Sequence, residues 1–455
     1  SVVTSQRISS DAFSDAATQH ATEVESSTVS FGSTVVSVFQ ISRNTTYGSA
    51  DIGYATSTNE GLVWTSGVLP NLAKTVDPTS PFDTVSDPVT AFDARHNMWL
   101  VASLPIVLAG GSSDAPQIFI TRSADGLTWQ TPVAAVHVPD SDKEWVACDN
   151  NTGSAFYGHC YLEWDNPQDG TIQMALSTDG GATWAQSASV IGNGIGGQIM
   201  VQPSGTVTVV SDDGAELSVV AFRSTDGGVT WSHTATVSPI IDHLVANFRA
   251  GPLVSASMDA GGTIYATWHD CRFRAGCSSN DAVIVTSSDG STWTSPVRIP
   301  IDPVNSTVDH FIPQIAVDRT TSGAQARIAI SYYQYANAAC TQSTCSLSAN
   351  VITSNDGGVS WNTPQALSQP MTLNWIAQTI QGAMVGDYNG ITFAGGRPVI
   401  TFSNAVAPSG LPFDQFFAVP DPSAIPLSTA RRLVSRERAI PGVHRDPGPR
   451  PRPPR

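Results

Sequence analysis

One short stretch occurs six times in this chain and constrains the fold more than any other feature. In the clearest copy, Ser224–Trp231, serine and aspartate can accept hydrogen bonds from backbone amides just ahead, and glycines supply the backbone angles of a tight turn. Each copy follows an alternating apolar run, so we expect it to join two strands of a hairpin. This repeated use indicates a structural device rather than a ligand or calcium loop. The copies are Ser57–Trp64, Ser123–Trp129, Ser177–Trp184, Ser224–Trp231, Ser287–Trp293 and Ser354–Trp361.

The repeated stretch resembles the Asp-box, S-x-D-x-G-x-T-W, of the sialidase-like β-propellers. Two copies are one residue short, and Asn59 stands in the acidic place of the first copy. The resemblance implies an all-β propeller with an Asp-box in the turn between the third and fourth strands of each blade. It indicates architecture more strongly than activity, because this fold hosts both enzymes and plain binders.

The spacing of the repeats bears on the number of blades. The box serines are separated by 66, 54, 47, 63 and 67 residues, about one four-stranded sheet per interval. Three further strand-like runs follow the sixth box: Ile391–Phe393, Pro398–Phe402 and Phe413–Ala418. The N-terminal residues Val2–Ile8 can supply a fourth strand there and remove an exposed sheet edge. Seven blades are therefore favoured, with the six of the sialidases as the alternative.

The chain divides into a folded part and a terminal segment of different composition. Evenly spaced repeats predict one β-propeller domain over residues 1–428, because closing a ring of repeats makes one domain. Residues 429–455 are rich in Arg and Pro and have few apolar side chains, so we expect a disordered tail there.

Charge and hydropathy exclude several classes of partner. The net charge is −16, which argues against a nucleic-acid partner. The longest apolar stretch, Met98–Gly110, is too short and too often interrupted by Gly and Pro to span a bilayer. We therefore expect a monomer with a glycan ligand, no membrane span, no catalytic cofactor and no catalytic metal; a structural calcium ion stays open.

The six cysteines form three pairs that are close in sequence. A zinc site is the rival interpretation, but C-x-x-C spacing is absent and the neighbouring histidines do not complete a ligand set. Three local disulfides place the protein outside the cytosol, and we expect that a signal peptide precedes Ser1 and is removed. The pairs are Cys148–Cys160, Cys271–Cys277 and Cys340–Cys345.

The predicted ring has two different faces. Inner strands start and second strands end on one face, whereas the boxes lie on the other. Polar and ionisable residues gather on the first face, as a site for a polar ligand requires, although each alone is better explained as a solvated loop charge. The strand starts carry Glu23, Glu25, Asp87, Lys143, Glu144, Gln198, Arg249, His310, Gln314, Asp387 and Tyr388; the strand ends carry Arg43, Glu163, Asp165, His269, Asp270, Arg272 and Arg274.

The resemblance implies roles for some of these residues. Sialidase-like enzymes use a Tyr nucleophile activated by Glu, an Asp acid/base, and three arginines around a substrate carboxylate. By position in the repeat, these are Tyr388, Glu163 and Asp51 as catalytic residues, and Arg43, Arg249 and Arg272 as the arginines, with Glu144, Asp270 and Asp387 as further substrate-binding residues. The family's R-I-P motif falls on Glu23-Val-Glu25, so its first arginine is missing.

Three functions follow from this pattern. The favoured one is a secreted, sialidase-like glycoside hydrolase that acts on terminal acidic sugars. The second is a propeller glycosidase that uses paired carboxylates, such as Glu144 with Glu163 or Asp270, on a polysaccharide. The third is a non-catalytic propeller that binds glycan or protein through the same face, and the missing R-I-P arginine favours it.

Overall fold

The computed structural model describes residues 2–427, 432–433 and 437–444. These residues form antiparallel strands that fall into seven groups of four, each named here as a sheet, from one to seven. Sheet one comprises Glu23–Phe31, Thr34–Arg43, Ser49–Ser57 and Thr65–Val68. Sheet two comprises Thr84–Asp93, Met98–Ala109, Ile118–Ser123 and Val133–Val136. Sheet three comprises Asp142–Cys148, Cys160–Asn166, Thr171–Ser177 and Ala185–Gln186.

The remaining sheets follow the same order. Sheet four comprises Ile195–Val201, Val207–Asp212, Ser218–Ser224 and Ser232–Pro239. Sheet five comprises Ser255–Met258, Ile264–Asp270, Asp281–Ser287 and Val297–Arg298. Sheet six comprises Asp309–Val317, Ile328–Tyr335, Ser346–Ser354 and Gln365–Ala366. Sheet seven comprises Gly390–Ala394, Arg397–Ala405, Gln415–Pro420 and the N-terminal Ser5–Arg7.

Additional short strands and 3-10 helices lie outside the seven groups of four strands. One bridge, between Ser49 and Val85, joins sheets one and two. The additional strands are Ser112–Asp114, Gly192–Asn193, Ser360–Trp361, Met371–Thr372, Ala377–Thr379, Gly382–Met384 and Arg432–Leu433. The short 3-10 helices are Ala275–Cys277, Gly323–Gln325, Leu373–Trp375 and Pro422–Ala424.

The first strand of each sheet, called its inner strand here, lies beside the inner strands of two other sheets. These contacts run in chain order from sheet one to sheet seven, and the inner strand of sheet seven contacts that of sheet one. One cavity of about 610 Å³ is lined by residues from the inner strands of all seven sheets. The inner strands therefore surround a common space.

The apolar core lies between neighbouring sheets. Between sheets four and five, Val210 and Val219 pack with Ala266, Trp268 and Val283, and all of them are buried. Strands covered on both faces are apolar along most of their length, because each face meets another sheet.

The six repeated stretches join the third and fourth strands of sheets one to six, as expected. In sheet four, the Ser224 hydroxyl accepts a hydrogen bond from the Gly228 amide at 2.9 Å. The Asp226 carboxylate accepts one from the Thr230 amide at 2.9 Å. The Trp231 indole donates to the Gly228 carbonyl at 3.0 Å, which holds the ring over the turn. Gly227 and Gly228 have φ of 72° and 84°, a left-handed conformation that glycine adopts with little strain.

The two ends of the folded part meet in sheet seven. Ser5–Arg7 pairs in antiparallel register with Gln415–Pro420, so the predicted N-terminal fourth strand is confirmed. The third strand of this sheet starts two residues later than predicted and ends at Pro420. Pairing of the chain ends covers the edge that the third strand would otherwise expose.

All three predicted disulfides are formed, and the described residues contain no free cysteine. No helix in the described ranges has the length and hydropathy needed to cross a membrane. The predicted tail, 429–455, lies mainly outside the described residues. Within its described part, the Ile440 amide donates to the Arg272 carbonyl at 2.9 Å, and Glu437 pairs with Arg298 at 3.1 Å.

Candidate functional site

Among the described residues, five inner strands carry a β-bulge near the start of the strand. In each bulge, two residues of the inner strand lie opposite one residue of the second strand. The first residue of each bulge is left-handed, and the φ values run from 46° to 66°. Only one of these residues is a glycine, so the other four residues adopt a backbone conformation that is unfavourable for them. The first bulge residues are Glu25, Asp87, Lys143, Gly196 and Ile312.

Three of the bulges contribute charged residues to a cluster where the inner strands start. Its centre is Asp387, whose carboxylate accepts hydrogen bonds from Lys143 Nζ at 2.5 Å and Arg249 Nη2 at 2.6 Å. Arg249 Nε donates to the other carboxylate oxygen at 2.8 Å. We call the whole group the axial cluster; its members are Glu25, Asp87, Lys143, Glu144, Arg249, Asp387 and Tyr388.

Two segments cross the axial cluster and cover it. The Arg249 amide donates to the Ala383 carbonyl at 2.9 Å, which ties the segment before sheet five to the segment before sheet seven. The Glu25 amide donates to the Val385 carbonyl at 2.9 Å, and the Asp387 amide donates to Glu25 Oε2 at 3.1 Å. Every member of the axial cluster is buried. The face on which polar residues were predicted to gather is therefore closed in this structure.

Burial and neighbouring charges shift the pKa values of two adjacent carboxyl groups, those of Glu25 and Asp387, in opposite directions. Burial, together with the charges of Asp87 and Asp387, raises the pKa of Glu25 to about 8. Burial also acts to raise the pKa of Asp387, but the charges of Arg249 and Lys143 outweigh it and hold this pKa well below its usual value. At neutral pH the first carboxyl is therefore protonated and the second ionised.

Glu144 and Tyr388 are neutral for related reasons. Burial, aided by the charge of Asp87, raises the pKa of Glu144 well above its usual value. Burial followed by the nearby carboxylates raises the pKa of Tyr388 in the same direction. The Tyr388 hydroxyl donates to the Pro88 carbonyl at 3.1 Å, and its ring meets Trp145 edge to face. In this arrangement the hydroxyl is not activated for nucleophilic attack.

Glu163 lies beside the axial cluster rather than in it. Burial and the charge of Asp165 raise the pKa of Glu163, and neither carboxylate oxygen has a hydrogen-bond partner among the described residues. A Cβ atom placed on Gly197 would lie 2.9 Å from Glu163 Oε2, so this glycine makes room for the carboxyl. The structure does not bring Glu163 to the Tyr388 hydroxyl, which bonds to Pro88 instead.

The three predicted arginines have different partners. Arg43 donates to Gln40 and to the Gly48 carbonyl, and burial, with the charge of Arg249, lowers its pKa to about 10. Arg249 binds Asp387, as described above. Arg272 instead forms a two-point pair with Asp270, through hydrogen bonds of 2.8 and 2.6 Å. Arg43 and Arg249 therefore lie close to each other, whereas Arg272 and Asp270 form a separate pair.

Asp51, the predicted acid/base, lies in the third strand of sheet one. Its carboxylate accepts a hydrogen bond from the Ile52 amide at 2.7 Å. Burial raises the pKa of Asp51 well above its usual value, and the backbone amides of Ile52 and Ala73 counteract the rise. No charged member of the axial cluster is among its electrostatic neighbours, so the structure does not bring Asp51 into that cluster.

Sequence reasoning placed Glu25, Asp87 and Lys143 at inner-strand starts but gave them no role. Their shared signal is positional, since each is the first bulge residue of its strand. In a regular strand, side chains alternate between the two faces of the sheet, and a bulge breaks this alternation. The pattern of a single sequence indicates the regular alternation but not the position of a bulge.

Asp281, Asp302 and His310 offer atoms within 4.8 Å of one another, a spacing that suits a cation. Two guanidinium groups already occupy this position. Arg274 pairs with Asp281 at 2.5 Å and Asp302 at 2.7 Å, and Arg298 pairs with both at 2.9 and 2.7 Å. The carboxylate charge is neutralised, so the cluster is a structural ion-pair network between sheets five and six.

No protein-family model and no curated protein matches this chain. Among solved structures, it resembles the Hadza microbial sialidase Hz136, with 17% identity, a TM-score of 0.48 and coverage of 69% of this chain and 64% of that one. It resembles the NanB sialidase of Streptococcus pneumoniae, with 13% identity, a TM-score of 0.44 and coverage of 91% and 69%. It also resembles the α-L-arabinofuranosidase of Fusarium graminearum, with 13% identity, a TM-score of 0.39 and coverage of 63% and 94%.

The chain thus spans 64% of the length of the Hadza sialidase. These solved structures are sialidases and an arabinofuranosidase.

Proposed function

We propose that this protein is a secreted, carbohydrate-active β-propeller with seven blades, and that it is a glycoside hydrolase. The unbroken series of contacts between inner strands and the common cavity support a closed ring of seven sheets. Turns of Asp-box type between third and fourth strands support the sialidase-like architecture. Three disulfides support export to an oxidising compartment. Residues 1–428 would form a single domain.

The observation that carries the proposed activity is the difference in acidity between Glu25 and Asp387. Cleavage of a glycosidic bond uses one protonated carboxyl, which donates to the leaving oxygen, and one carboxylate, which attacks or activates water. Glu25 is protonated at neutral pH and Asp387 is ionised, and the Asp387 amide contacts Glu25 directly. Glu25 is thus the proposed proton donor and Asp387 the proposed carboxylate.

The left-handed backbone conformation of residues in the axial cluster supports the proposal that this cluster is a functional site. A non-glycine residue in the left-handed region costs roughly 1–3 kcal/mol, and such residues gather at active sites. Glu25, Asp87 and Lys143 all adopt this conformation and all enter the axial cluster. The same bulge also occurs at Gly196 and Ile312, which lie outside the axial cluster.

From this face, substrate reaches the axial cluster when the two covering segments separate. The contacts that hold them are backbone hydrogen bonds of Arg249 with Ala383 and of Glu25 with Val385. In the proposal, sugar binding replaces these contacts and leaves the underlying bulges in place.

Sialidase-type chemistry on terminal acidic sugars is the narrower form of the proposal. Arg43 and Arg249 would attract the sugar carboxylate, and Tyr388 would be the nucleophile. This form requires a larger rearrangement, because Tyr388 must leave Pro88 and Arg249 must leave Asp387.

Fluorogenic glycosides test the activity. The panel comprises α-sialosides, α-L-arabinofuranosides, uronides and neutral hexosides, each assayed with the wild type, Glu25→Gln, Tyr388→Phe and the control Glu60→Gln. Glu60 is exposed and lies in the first repeated turn, away from the cluster. We expect turnover that falls at least 100-fold in Glu25→Gln, since general acid catalysis contributes roughly 10²–10⁴-fold. A further loss in Tyr388→Phe, confined to sialosides, selects the sialidase form.

A non-catalytic glycan-binding propeller is the second candidate, and burial of the whole axial cluster favours it. A glycan array read together with product analysis separates the two. Retained glycan without any released sugar identifies the binder and removes the hydrolase.

A further inference from the structure

The large cavity opens away from the axial cluster. It extends along the inner strands from Gln198 and Gln314 to the turns that follow these strands, at Phe31–Gly32 and Asp318–Thr320. First and third strands of a sheet run in the same direction, so the cavity reaches the end of the molecule where the six repeated turns lie. This end is opposite to the proposed reaction centre.

The wall of the cavity has both polar and apolar parts. Trp145, Ala147, Ser257 and Thr392 belong to inner strands yet are only half-buried, because their side chains meet the open space. At the wide end, the ring of Phe31 is 46% exposed. Its other face stacks on Phe92 with 4.2 Å between ring centroids. The Phe31 ring is therefore a fixed aromatic surface at the cavity mouth.

Arg319 is the cation of this cavity. It follows the inner strand of sheet six and lines the wall, and no hydrogen bond or ion pair of its guanidinium occurs within the described residues. Its side chain is exposed to the cavity, and partial desolvation by the surrounding protein lowers the pKa of Arg319. The charge of Asp149, on sheet three, partly offsets the effect without forming an ion pair.

A guanidinium held in this way lacks an anionic partner. This guanidinium would donate two parallel hydrogen bonds to a bound oxyanion. The cavity volume of about 610 Å³ suits a monosaccharide or disaccharide, since ligand cavities are typically about 300–1,000 Å³. An aromatic ring and an arginine that line the same cavity suit a ligand with an apolar face and a carboxylate.

We propose that this cavity is a second binding site, which takes a carboxylate-bearing sugar such as a uronic acid. Arg319 binds the carboxylate, and Phe31 packs against the apolar face of the sugar ring. The site lies at the opposite end of the inner strands from Glu25 and Asp387, so it stands whether or not the axial cluster is catalytic.

Isothermal titration calorimetry tests the site with three separate probes: sodium glucuronate, glucose and sodium sulfate. These provide the carboxylate-bearing sugar, the sugar alone and the inorganic anion alone. The variant is Arg319→Gln, and the matched control is Arg397→Gln, an exposed arginine on the sheet-seven turn at the same end but outside the cavity wall. Thermal melting confirms that each variant is folded.

We expect glucuronate to bind the wild type and Arg397→Gln with equal affinity, and Arg319→Gln at least tenfold more weakly. Glucose should bind at least tenfold more weakly than glucuronate to the wild type. Equal glucuronate affinity of Arg319→Gln and the wild type overturns the site, as does absence of binding to all three probes.

Two further variants test the sugar part of the proposal. Ala147→Phe adds a ring to a half-buried position on the cavity wall and should abolish glucuronate binding while the protein stays folded. Phe31→Ala removes the aromatic surface and should weaken glucuronate but not sulfate. Sulfate that binds as tightly as glucuronate, with no effect of Phe31→Ala, overturns a sugar site and leaves only an anion at Arg319.

Discussion

The Arg249 guanidinium forms a two-point pair with the Asp387 carboxylate, at 2.8 and 2.6 Å, between residues 138 positions apart in the chain. Lys143, on the inner strand of sheet three, pairs with the same carboxylate. One carboxylate thus connects the segments before sheets five and seven with the inner strand of sheet three. This connection closes the face on which the proposed reaction takes place.

Replacement of Asp387 by Asn should strongly destabilise the protein. The change leaves Arg249 and Lys143 buried without a counter-charge, and breaking a buried ion pair in this way costs about 3–5 kcal/mol. Urea unfolding measures the free energy of unfolding. Asp414→Asn is the control, because its pair with Arg7 is largely exposed and contributes about 0–1 kcal/mol. Equal losses in the two variants would contradict the account.

The pKa of Glu25 predicts a specific pH dependence of stability. This pKa is about 8 in the folded protein against a usual value of 4.5, so between these pH values the unfolded chain releases a proton that the folded protein retains. The stabilising contribution is complete below pH 4.5 and is lost as the pH rises towards 8. Relative to Glu25→Gln, the wild type should therefore lose stability over this range, by up to about 1.4 kcal/mol per pH unit.

Urea unfolding at successive pH values from 5 to 8 measures this difference. The exposed Glu60→Gln should keep the wild-type slope. Parallel curves for wild type and Glu25→Gln would show that Glu25 is ionised in the folded protein at neutral pH.

In the repeated turns, replacement of the aspartate by asparagine should destabilise the protein less than replacement by alanine. Asp226→Ala deletes the acceptor of the Thr230 amide and should cost about 1–3 kcal/mol. Asp226→Asn keeps an acceptor oxygen and should cost less, since Asn59 in the first copy accepts the Val63 amide at 2.8 Å. Chemical denaturation of both variants provides the comparison, and an Asn variant as unstable as the Ala variant would refute it.

Removal of residues 1–8 should expose a sheet edge. The truncated protein loses the strand Ser5–Arg7 and leaves one side of Gln415–Pro420 unpaired. We expect a lower melting temperature and association that increases with protein concentration, measured by calorimetry and light scattering. Arg7→Gln keeps the strand and removes the ion pair with Asp414 and the contacts of Arg7 with the Ser9 carbonyl and the Phe416 ring, so it should lose less stability than the truncation and stay monomeric. An unchanged, monomeric truncation product would show that this strand is dispensable.

The strands and their grouping could be predicted because their signals are local. Each box marks a turn by its own residues, and alternation marks the strands on both sides. The N-terminal strand was predicted from an unpaired edge rather than from its own sequence, and Ser5–Arg7 occupies that place. The cysteine pairs are close in sequence, so their partners followed from spacing.

The arrangement of the site could be predicted only in part. Of the residues predicted on this face, Arg43, Glu144, Arg249, Asp387 and Tyr388 lie together. Whether this face is open or closed could not be predicted, because the hydrogen bond of Arg249 with Ala383 joins segments that are far apart in sequence and of irregular structure.

Arg272 shows why a shared face does not specify a partner. It lies at the end of a second strand, as predicted, but the nearest carboxylate is Asp270, two residues away, and it satisfies the guanidinium locally. A convergent arginine set depends on distances that position in a repeat does not define.

The pH profile of kcat/KM, on whichever glycoside of the panel is cleaved, tests the central claim most directly. If Glu25 donates the proton, kcat/KM falls above about pH 8, as this carboxyl ionises, and Glu25→Gln is at least 100-fold slower below this pH. A wild-type rate that stays constant up to pH 10, or an undiminished rate in Glu25→Gln, would contradict the assignment of the axial cluster as the reaction centre.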